Sequence, residues 1–368
     1  MADADVSHLE FDGAQVVLPC ADPMGPTLEF FSALGFAVRT IVPADHPTVA
    51  VLEGHGLAIR LEVGVDVAPG MLRLLSTNWP IPDPITAPNG TVVEFGRSAS
   101  TIDIPPLQEE LVVSRVHDPG GYHQGRAGMQ YRDLIPGRLG GRFIASHILI
   151  PDGGPVDDYV HFHQVRFQMI YCHRGWVRVT YEDQGEPMLL TEGDCFLQPS
   201  TIRHRVLEAS DRMQVVEIGC PAEHETWGDP ATTLPTGREV PERGYGADGH
   251  RFVFHRASAT PWRPWRAPGW AQRDTGIGAA TDGMAGARTV RPDGFAPPAT
   301  FRHHGEFCFL FVLAGGLSAE PEGHSLLRLT EGDCITVPSG LALTLSDATP
   351  ELRLLDVTMP DVLPVTVE

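Results

Sequence analysis

The chain has 368 residues, of which 42% are hydrophobic and 20% charged, and its formal net charge at pH 7 is -20. At about 150 residues per domain, this length predicts two or three globular domains, and the composition excludes a disordered or membrane-spanning chain. All 27 basic residues are arginine, which excludes a lysine Schiff base and a lysine-dependent phosphate loop, and the acidic balance argues against nucleic acid and anionic membranes as partners.

Cysteine, glycine and proline usage bears on the compartment and the fold class. The six cysteines lie far apart with no CxxC pair, which is typical of buried thiols in a reducing compartment. The first residues, MADADVSHLEF, have no basic stretch before an apolar region, so no secretory signal is predicted and we expect a cytoplasmic protein. The 39 glycines and 33 prolines favour short strands and many turns, and hence a mainly β fold.

The first hundred residues predict a small domain with the element order βαβββ. Residues 14–19 have the pattern of a strand, and residues 22–35 have that of a short helix closed by Gly35. Three further strand-like runs follow, at 36–42, 48–52 and 57–63.

Two motifs mark this N-terminal stretch: VxLPxxD followed by FFSALGF, and APNGTVVEF at 87–95. Through them, the part of the chain at 12–97 resembles one module of the vicinal oxygen chelate superfamily of glyoxalases and extradiol dioxygenases. In that family a metal is usually held by a histidine on the first strand and a glutamate on a later one. Here the first-strand position falls on Gln15, with Glu62 as the available carboxylate, so we expect a domain that packs or dimerises without a metal.

An internal repeat predicts the architecture of the rest of the chain. The pentamer TEGDC occurs at 191–195 and again at 330–334, with further shared residues at matching spacings around it. Within each copy, short alternating apolar runs are separated by Gly or Pro turns, which indicates an antiparallel sandwich or barrel. We therefore expect two copies of one β-rich domain, at 128–221 and 270–360.

A proline-rich connector, 222–269, joins the two copies. It carries Trp262 and Trp265, and Trp270 follows directly after it. We expect these tryptophans to pin the connector onto the domains rather than to form a site.

Two motifs in the first copy place histidines at fixed spacings. The first motif consists of a glycine, an HxH pair, a polar residue and a second glycine: Gly154, His161, His163, Gln168 and Gly175. The second consists of Gly193, Pro199 and His204. Both motifs resemble those of cupins, and the resemblance implies a jelly-roll barrel with a metal held by the three histidines. The spacing suits this role, because residues i and i+2 of a strand face the same way, so His161 and His163 both point into the barrel.

Gln168 is the departure from the cupin pattern, because many cupins place a carboxylate ligand there. A neutral amide binds a divalent metal weakly and leaves the centre one charge more positive, which favours anionic or bidentate substrates. We expect Gln168 to hydrogen-bond a ligand or water, with loose metal ligation as the alternative. Cupins with three histidines and no glutamate include gentisate-type and thiol dioxygenases, so the resemblance implies iron and dioxygen.

The second copy keeps the frame of the repeat but not the histidine set. In the repeat register, the positions of the three histidines and then of Gln168 fall on Arg302, His304, Leu343 and Phe309. We therefore expect the second copy to be a scaffold without a metal.

Other polar residues of the first copy are candidates for the pocket wall: Arg132, Arg142, His147, Arg166, Tyr171, His173 and Gln198. Strand alternation from Gln168 predicts that Tyr171 and His173 face away from the metal. Arg142 is the candidate for binding a substrate carboxylate.

Arg132 is also a candidate for carboxylate binding, but a structural role is favoured. The second copy, which lacks the metal site, keeps the same pair as Arg273 and Asp274. We therefore expect a structural ion pair between Arg132 and Asp133.

Together these patterns predict a mainly β protein, with two cupin jelly-roll barrels in tandem and an N-terminal βαβββ domain. The expected domains are a glyoxalase-like domain at 1–100, a metal-binding cupin at 101–221, the connector at 222–269 and a degenerate cupin at 270–368.

The expected function is that of a mononuclear Fe(II) dioxygenase acting on a small carboxylated or enolisable substrate. One metal per chain is expected on His161, His163 and His204, with Gln168 and Arg142 as catalytic residues. The alternatives are a Zn, Ni or Mn isomerase, lyase or hydrolase, and a small-molecule-binding protein without catalysis. The expected partners are a small substrate, dioxygen and a second copy of the chain.

Overall fold

The structure is a computed structural model that describes residues 10–77, 82–98, 102–294 and 296–367. The chain forms two compact units, Met1–Thr101 and Ile102–Glu368. Within the described ranges, none of the helices has the length and apolar character needed to cross a membrane.

The N-terminal unit has the expected βαβββ order. Its main sheet has the strand order β1-β4-β3-β2, with β1 parallel to β4. The elements are β1 (Val16–Cys20), α1 (Gly25–Ala33), β2 (Ala37–Val42), β3 (Val49–Gly54) and β4 (Leu57–Val63). Helix α1 ends before Gly35, whose φ of 90° lies in the left-handed region that glycine accommodates without strain. A three-stranded sheet of order β5-β7-β6 completes the unit, from β5 (Met71–Ser76), β6 (Ile85–Thr86) and β7 (Val92–Arg97).

The second unit contains two β-barrels, each built from two sheets. The first barrel has a seven-stranded sheet of order β23-β17-β14-β19-β11-β10-β9 and a sheet of order β16-β15-β18-β13-β20, with β12 paired to β18. Its strands are β9 (His123–Gln124), β10 (Gln130–Asp133), β11 (Ile144–Ile150), β12 (Gly154–Pro155), β13 (His161–His163), β14 (Phe167–Arg174), β15 (Trp176–Tyr181), β16 (Met188–Thr191), β17 (Cys195–Leu197), β18 (His204–Ala209), β19 (Met213–Cys220), β20 (Thr226–Gly228) and β23 (Val253–His255).

The second barrel repeats this plan. Its seven-stranded sheet has the order β24-β25-β26-β33-β28-β31-β8, and its five-stranded sheet has the order β30-β29-β32-β27-β34. Its strands are β8 (Val112–Ser114), β24 (Arg263–Pro264), β25 (Trp270–Asp274), β26 (Gly286–Pro292), β27 (Ala299–His303), β28 (Phe307–Ala314), β29 (Gly316–Pro321), β30 (Leu327–Thr330), β31 (Cys334–Thr336), β32 (Ala342–Ser346), β33 (Arg353–Met359) and β34 (Val365–Val367).

Helical structure in this unit is limited to single turns. They are the α-helical turns α2 (Arg138–Gly141) and α3 (Ile277–Ala280) and the 3-10 turns Arg126–Gly128 and Ala257–Ala259. A separate hairpin consists of β21 (Gly244–Tyr245) and β22 (His250–Arg251). The mainly β class and the tandem barrels expected from the sequence are confirmed.

The two barrels pack through their seven-stranded sheets. Phe167, Met169 and Tyr171 of β14 belong to an apolar cluster shared with the second barrel. The next residue, Cys172, belongs to the interior cluster of the first barrel. Strand β14 is therefore buried on both faces, with one face toward the barrel interior and the other toward the second barrel.

Each TEGDC pentamer forms a turn closed by its aspartate. Asp194 accepts hydrogen bonds from the backbone N–H (3.1 Å) and the hydroxyl (2.8 Å) of Thr191. Asp333 accepts the equivalent bonds from Thr330 at 2.9 and 3.1 Å. The identity of the two pentamers thus reflects one turn geometry used twice.

Each of the two aspartates also accepts a hydrogen bond from a segment outside its own repeat. For Asp194 this segment follows the first barrel, and for Asp333 it precedes the first barrel. Asp194 accepts from the Ala257 N–H, next to β23, which pairs with β17 of the first barrel. Asp333 accepts from the Val116 N–H, next to β8, which pairs with β31 of the second barrel. Residues 112–114, within the segment expected to form the first cupin, therefore add a strand to the second barrel.

Two other expectations concern buried side chains. All six cysteines are buried and free, as the cysteine spacing predicts. Trp265 and Trp270 are buried in the core of the second barrel, so they do pin the connector onto it. Trp262 lies outside that core cluster and has different neighbours.

Truncation of Phe307 tests the packing between the barrels. Its ring stacks on Phe143 with the centroids 4.2 Å apart, and the side chain is buried. We expect Phe307→Ala to lower the free energy of unfolding by about 3–5 kcal/mol, because it leaves a cavity between the sheets. The control Leu326→Ala, at a side chain that is 57% exposed, should change it by less than about 0.5 kcal/mol in the same denaturant titration. Equal effects of the two substitutions would contradict this packing.

Candidate metal centre

Three buried histidines converge inside the first barrel. His161 and His163 are alternate residues of β13, and β18 places His204 directly opposite His161. One ring nitrogen from each residue lies within 4.8 Å of those of the other two. The structure thus brings together the three residues that the sequence nominates as metal ligands, and they alone form such a group among the described residues.

Hydrogen bonds orient the three rings. The Nδ1 atom of His161 donates to the carbonyl of Tyr159 (2.7 Å), and that of His204 donates to the carbonyl of Ile202 (3.0 Å). The Nδ1 atom of His163 lies 3.2 Å from the hydroxyl of Thr226. A carbonyl can only accept, so the lone pairs of His161 and His204 lie on Nε2, as is typical of histidines that bind a metal.

Burial also keeps these rings neutral. Desolvation lowers the pKa of His163 to about 3, and it lowers the pKa of His204 well below its usual value. It lowers the pKa of His161 as well, with the nearby Arg126 charge acting in the same direction. A metal binds neutral imidazole, so the donor set fits a divalent transition metal without first losing a proton.

An arginine and a buried aspartate complete the polar end of the site. Arg126 Nη2 donates to His161 Nε2 (2.8 Å), and its Nη1 pairs with the Asp158 carboxylate (2.5 Å). The Asp158 side chain is fully buried and also accepts from the Val206 N–H at 2.9 Å. A metal bonded to His161 Nε2 requires this guanidinium to withdraw, which leaves a cation at the edge of the metal position.

A cavity of about 90 Å³ opens beside the histidines. Its polar lining comprises Arg126, His163, Gln168, Gln198, His204 and Glu217, together with Tyr131 and Tyr181. The rest of the lining is aliphatic, aromatic or thioether: Met129, Ile148, Ile150, Ile170, Val177, Val179, Leu190, Phe196, Val206, Met213 and Val215. The cavity therefore has one polar end and an apolar body.

Gln168 lies in the same cavity as the histidines. It is buried, and its amide Nε2 donates to Glu217 Oε1 at 2.8 Å. Glu217 lies on the neighbouring strand β19, opposite Ile170. Glu217 takes up one of the two N–H groups of the amide, so its oxygen and its second N–H stay available to a ligand.

Arg126, Asp158 and Glu217 are site residues that sequence reasoning missed. Glu217 had a detectable signal, because it is a carboxylate in the middle of the apolar run 213–220. Asp158 stands three residues before His161, so the sequence also marks it as a neighbour of the histidine motif. Arg126 comes from a single 3-10 turn far outside the motifs, and no pattern marks it.

The structure does not bring Arg142 to the cavity, which corrects the expectation that it binds substrate. Its guanidinium bonds to Glu306 Oε1 and to the carbonyl of Pro105, both at 2.8 Å. Arg166 binds the same Glu306 oxygen at 2.7 Å. Both arginines therefore neutralise a carboxylate of the second barrel.

The expected ion pair between Arg132 and Asp133 is also wrong. Arg132 donates to the carbonyl of Gly332, while Asp133 pairs with Arg138 at 3.6 Å. Adjacent residues of a strand point to opposite faces, so the two side chains of β10 have different neighbours.

The remaining candidates lie on the other face of the sheet, apart from Gln198. Tyr171 and His173 point away from the histidine cavity, as alternation predicts, and line a separate cavity between the barrels. His147 bonds to His173 at 3.0 Å and belongs with them.

The second barrel has no equivalent metal site among the residues that the structure describes. Its strand pairing corrects the register of the repeat by one residue, because Phe301 pairs with Leu343 as His161 pairs with His204. His303 is then the counterpart of His163, and its Nε2 bonds to the carbonyl of Val337 at 2.7 Å. The alignment of Arg302 and His304 with His161 and His163 in the sequence analysis is therefore off by one residue.

Comparisons with known proteins agree with this fold. The cupin domain family model matches residues 147–219, which hold all three histidines. No curated protein matches the chain.

Several solved structures are similar at low identity. Salicylate 1,2-dioxygenase from Pseudoaminobacter salicylatoxidans, in a structure with gentisate, is 16% identical with a TM-score of 0.50, over 72% of this chain and 87% of that one. Protein Ylba from E. coli is 12% identical with a TM-score of 0.50, over 72% and 96% of the two chains. A variant of oxalate decarboxylase from Bacillus subtilis is 14% identical with a TM-score of 0.50, over 78% and 90%. These likenesses show the fold alone, that of two β-barrels in tandem.

Elemental analysis tests the metal centre. We expect the full-length protein to bind one equivalent of divalent transition metal per chain, because one histidine set is complete and its counterpart is Phe301, His303 and Leu343. The double variant His161→Ala, His204→Ala should lose the metal, measured by plasma mass spectrometry after dialysis. The matched control His303→Ala should retain it. Two equivalents in the wild type, or one retained in the double variant, would contradict the assignment.

Proposed function

We propose that the protein is a mononuclear metal-dependent oxidoreductase, a dioxygenase that uses Fe(II) and acts on a small carboxylated or enolisable substrate. The observation that carries the proposal is the convergence of three neutral, buried imidazoles beside a cavity with one cationic group at its polar end. His161, His163 and His204 would hold the iron and leave other coordination positions open. Bound Fe(II) would supply Lewis acidity and the one-electron chemistry that dioxygen requires.

Charge supports an anionic substrate. The three ligands are neutral, so the full charge of the metal remains in the site, and Arg126 adds a guanidinium at its edge. The buried carboxylate of Asp158 forms an ion pair with that guanidinium and fixes its position. A substrate carboxylate or enolate placed between the metal position and Arg126 would bind both.

The cavity wall supports a substrate with an apolar body. Beyond the polar end, the lining is mainly aliphatic, with Ile148, Val177 and Val215 among its members. Such a wall favours a ring or hydrocarbon chain and excludes water from its vicinity. The cavity size of about 90 Å³ favours a small molecule.

Gln168 and Glu217 supply hydrogen-bonding groups within the same cavity. The Gln168 amide is held by Glu217, so its oxygen has a fixed direction and can accept from a substrate hydroxyl or a water. Gln168 is therefore proposed as a positioning group rather than a metal ligand.

A second candidate function rests on Glu217. A carboxylate that lines the cavity beside the metal position can accept a proton, which suits a non-oxidative isomerase or lyase acting on an enolisable substrate with Zn, Ni or Mn. Small-molecule binding without catalysis remains the third alternative, and turnover assays separate it from both.

We further propose that the N-terminal unit is a glyoxalase-like module that packs or pairs without holding a metal. Strand pairing places Glu62 beside Pro19 of β1, and its carboxylate bonds to Arg60 at 2.8 Å. No group of three metal-binding side chains occurs among the residues of this unit that the structure describes. Strand β2 is exposed along its length at the sheet edge and carries Val38 and Ile41, which supports pairing with a second copy of the chain.

Oxygen uptake tests the oxidative assignment. Iron-loaded protein should consume dioxygen in the presence of at least one member of a panel of phenolic and keto acids, measured with an oxygen electrode. Uptake should disappear in His161→Ala, His204→Ala and persist in His303→Ala. Proton exchange or isomerisation of an acid without oxygen uptake would overturn the dioxygenase assignment in favour of the second candidate.

Gln168→Ala tests the role of the amide. We expect metal content to stay near one equivalent, because the three histidines are complete without it, and turnover to fall about 10–100-fold, as is usual when a group beside a metal ligand is removed. Metal content and turnover should be measured on the same preparation. An empty metal site in this variant would make Gln168 a true ligand.

A further inference from the structure

A second cavity, of about 210 Å³, lies between the two barrels. Trp262, Arg273 and Arg353 line one part of it, and Tyr171 and His173 line another. Strand β14 separates it from the metal centre, because Gln168 points into the first barrel whereas Tyr171 faces the second.

Three arginines gather around Trp262, and two of them, Arg273 and Arg353, also line this cavity. The guanidinium carbons of Arg273 and Arg291 lie 4.5 and 4.1 Å from the centre of its rings, and that of Arg353 lies 5.8 Å away. They come from the three neighbouring strands β25, β26 and β33. The indole therefore serves as a stacking surface that fixes the arginines close together.

These arginines have no acidic partner among the described residues. Arg273 and Arg291 make no side-chain hydrogen bond, and the Nε atom of each is buried without a partner. Arg353 bonds only to the carbonyls of Glu351 and Leu352. Glu192 is the carboxylate that lines the cavity, and it is exposed and forms no ion pair with any of the three.

Other arginines of the same barrel do have acidic partners. Arg266 binds the buried carboxylate of Asp356 at 2.9 Å, and Arg288 binds Asp361 at 2.6 Å. Burial, together with the charges of Arg291 and Arg273, lowers the pKa of Arg353, so the three cations are close enough to repel one another. Clustered cations with partly buried, unpaired N–H groups are costly in a protein that carries a net charge of -20.

We propose that this inter-barrel cavity is a binding site for a small oxyanion, of the phosphate, phosphomonoester or dicarboxylate type. Guanidinium groups bind such anions through paired, charge-assisted hydrogen bonds, which Arg273 and Arg353, the two arginines that line the cavity, can provide. Arg291, on the same indole ring, adds positive charge beside them. The cavity is much larger than the space needed for one water molecule, so it leaves room for a group attached to the anion. The site is independent of the proposed metal chemistry, because it uses none of the metal-site residues.

The anion site is tested by thermal shift and calorimetric titration of the full-length, metal-loaded protein. The probes are inorganic phosphate and succinate, each compared with chloride at matched ionic strength. At least one probe should raise the melting temperature in a saturable manner. Arg273→Gln and, separately, Arg353→Gln should raise the Kd at least about tenfold, as expected for the loss of a charge-assisted bond.

Two controls locate the binding. Arg256→Gln should bind like the wild type, because Arg256 also stacks on an aromatic ring, Phe254 at 4.2 Å, but does not line the cavity. His161→Ala, His204→Ala should also bind normally. The proposal is overturned if neither probe acts beyond chloride, if both arginine variants bind like the wild type, or if binding is lost with the histidines. Phosphate acting without succinate, or the reverse, identifies the anion type.

Discussion

The two seven-stranded sheets pack against each other, and this contact fixes the direction of the side chains at the site. Phe167, Met169 and Tyr171 of β14 must face the second barrel to bury their apolar surface. Gln168, between them, then has to face the interior of the first barrel. A slip of one residue along β14 would exchange the two faces. The packing between the barrels therefore also determines which residues of β14 line the cavity beside the histidines.

Electrostatics distinguishes the two ends of the first-barrel cavity. The histidines are neutral because they are buried, and their Nδ1 atoms are held by carbonyls or a hydroxyl. The cationic group is Arg126, and the fully buried Asp158 compensates part of its charge. The cavity beside the histidines therefore has a polar end, which includes Arg126 and Glu217, and an apolar wall.

Sequence reasoning succeeded where the chemistry lies on short, regular spacings. His161 and His163 are two residues apart on one strand, and the TEGDC turns mark the same point in each barrel. It failed by one residue in the second barrel, because the counterparts of the ligands, Phe301 and Leu343, are apolar and do not reveal the register. The register is defined by the backbone pairing of β27 with β32, which the side chains alone do not indicate.

Arg142, Arg126 and Trp262 show a different limit. Alternation tells which residues share a face but not whether that face meets the barrel interior or the second barrel, so Arg142 was assigned to the wrong surroundings. Arg126 reaches the site from a distant turn. Trp262 was grouped with its neighbours Trp265 and Trp270, although only those two belong to the core of the second barrel. Such assignments depend on tertiary contacts between segments that are far apart in the chain.

Anomalous diffraction at the metal absorption edge, from crystals of the metal-loaded full-length protein, tests the central claim most directly. The account predicts one peak per chain, at about 2.0–2.3 Å from Nε2 of His161, His163 and His204, with Arg126 withdrawn from His161. A peak in the second barrel, or a metal bound elsewhere while Arg126 remains on His161 Nε2, would contradict it.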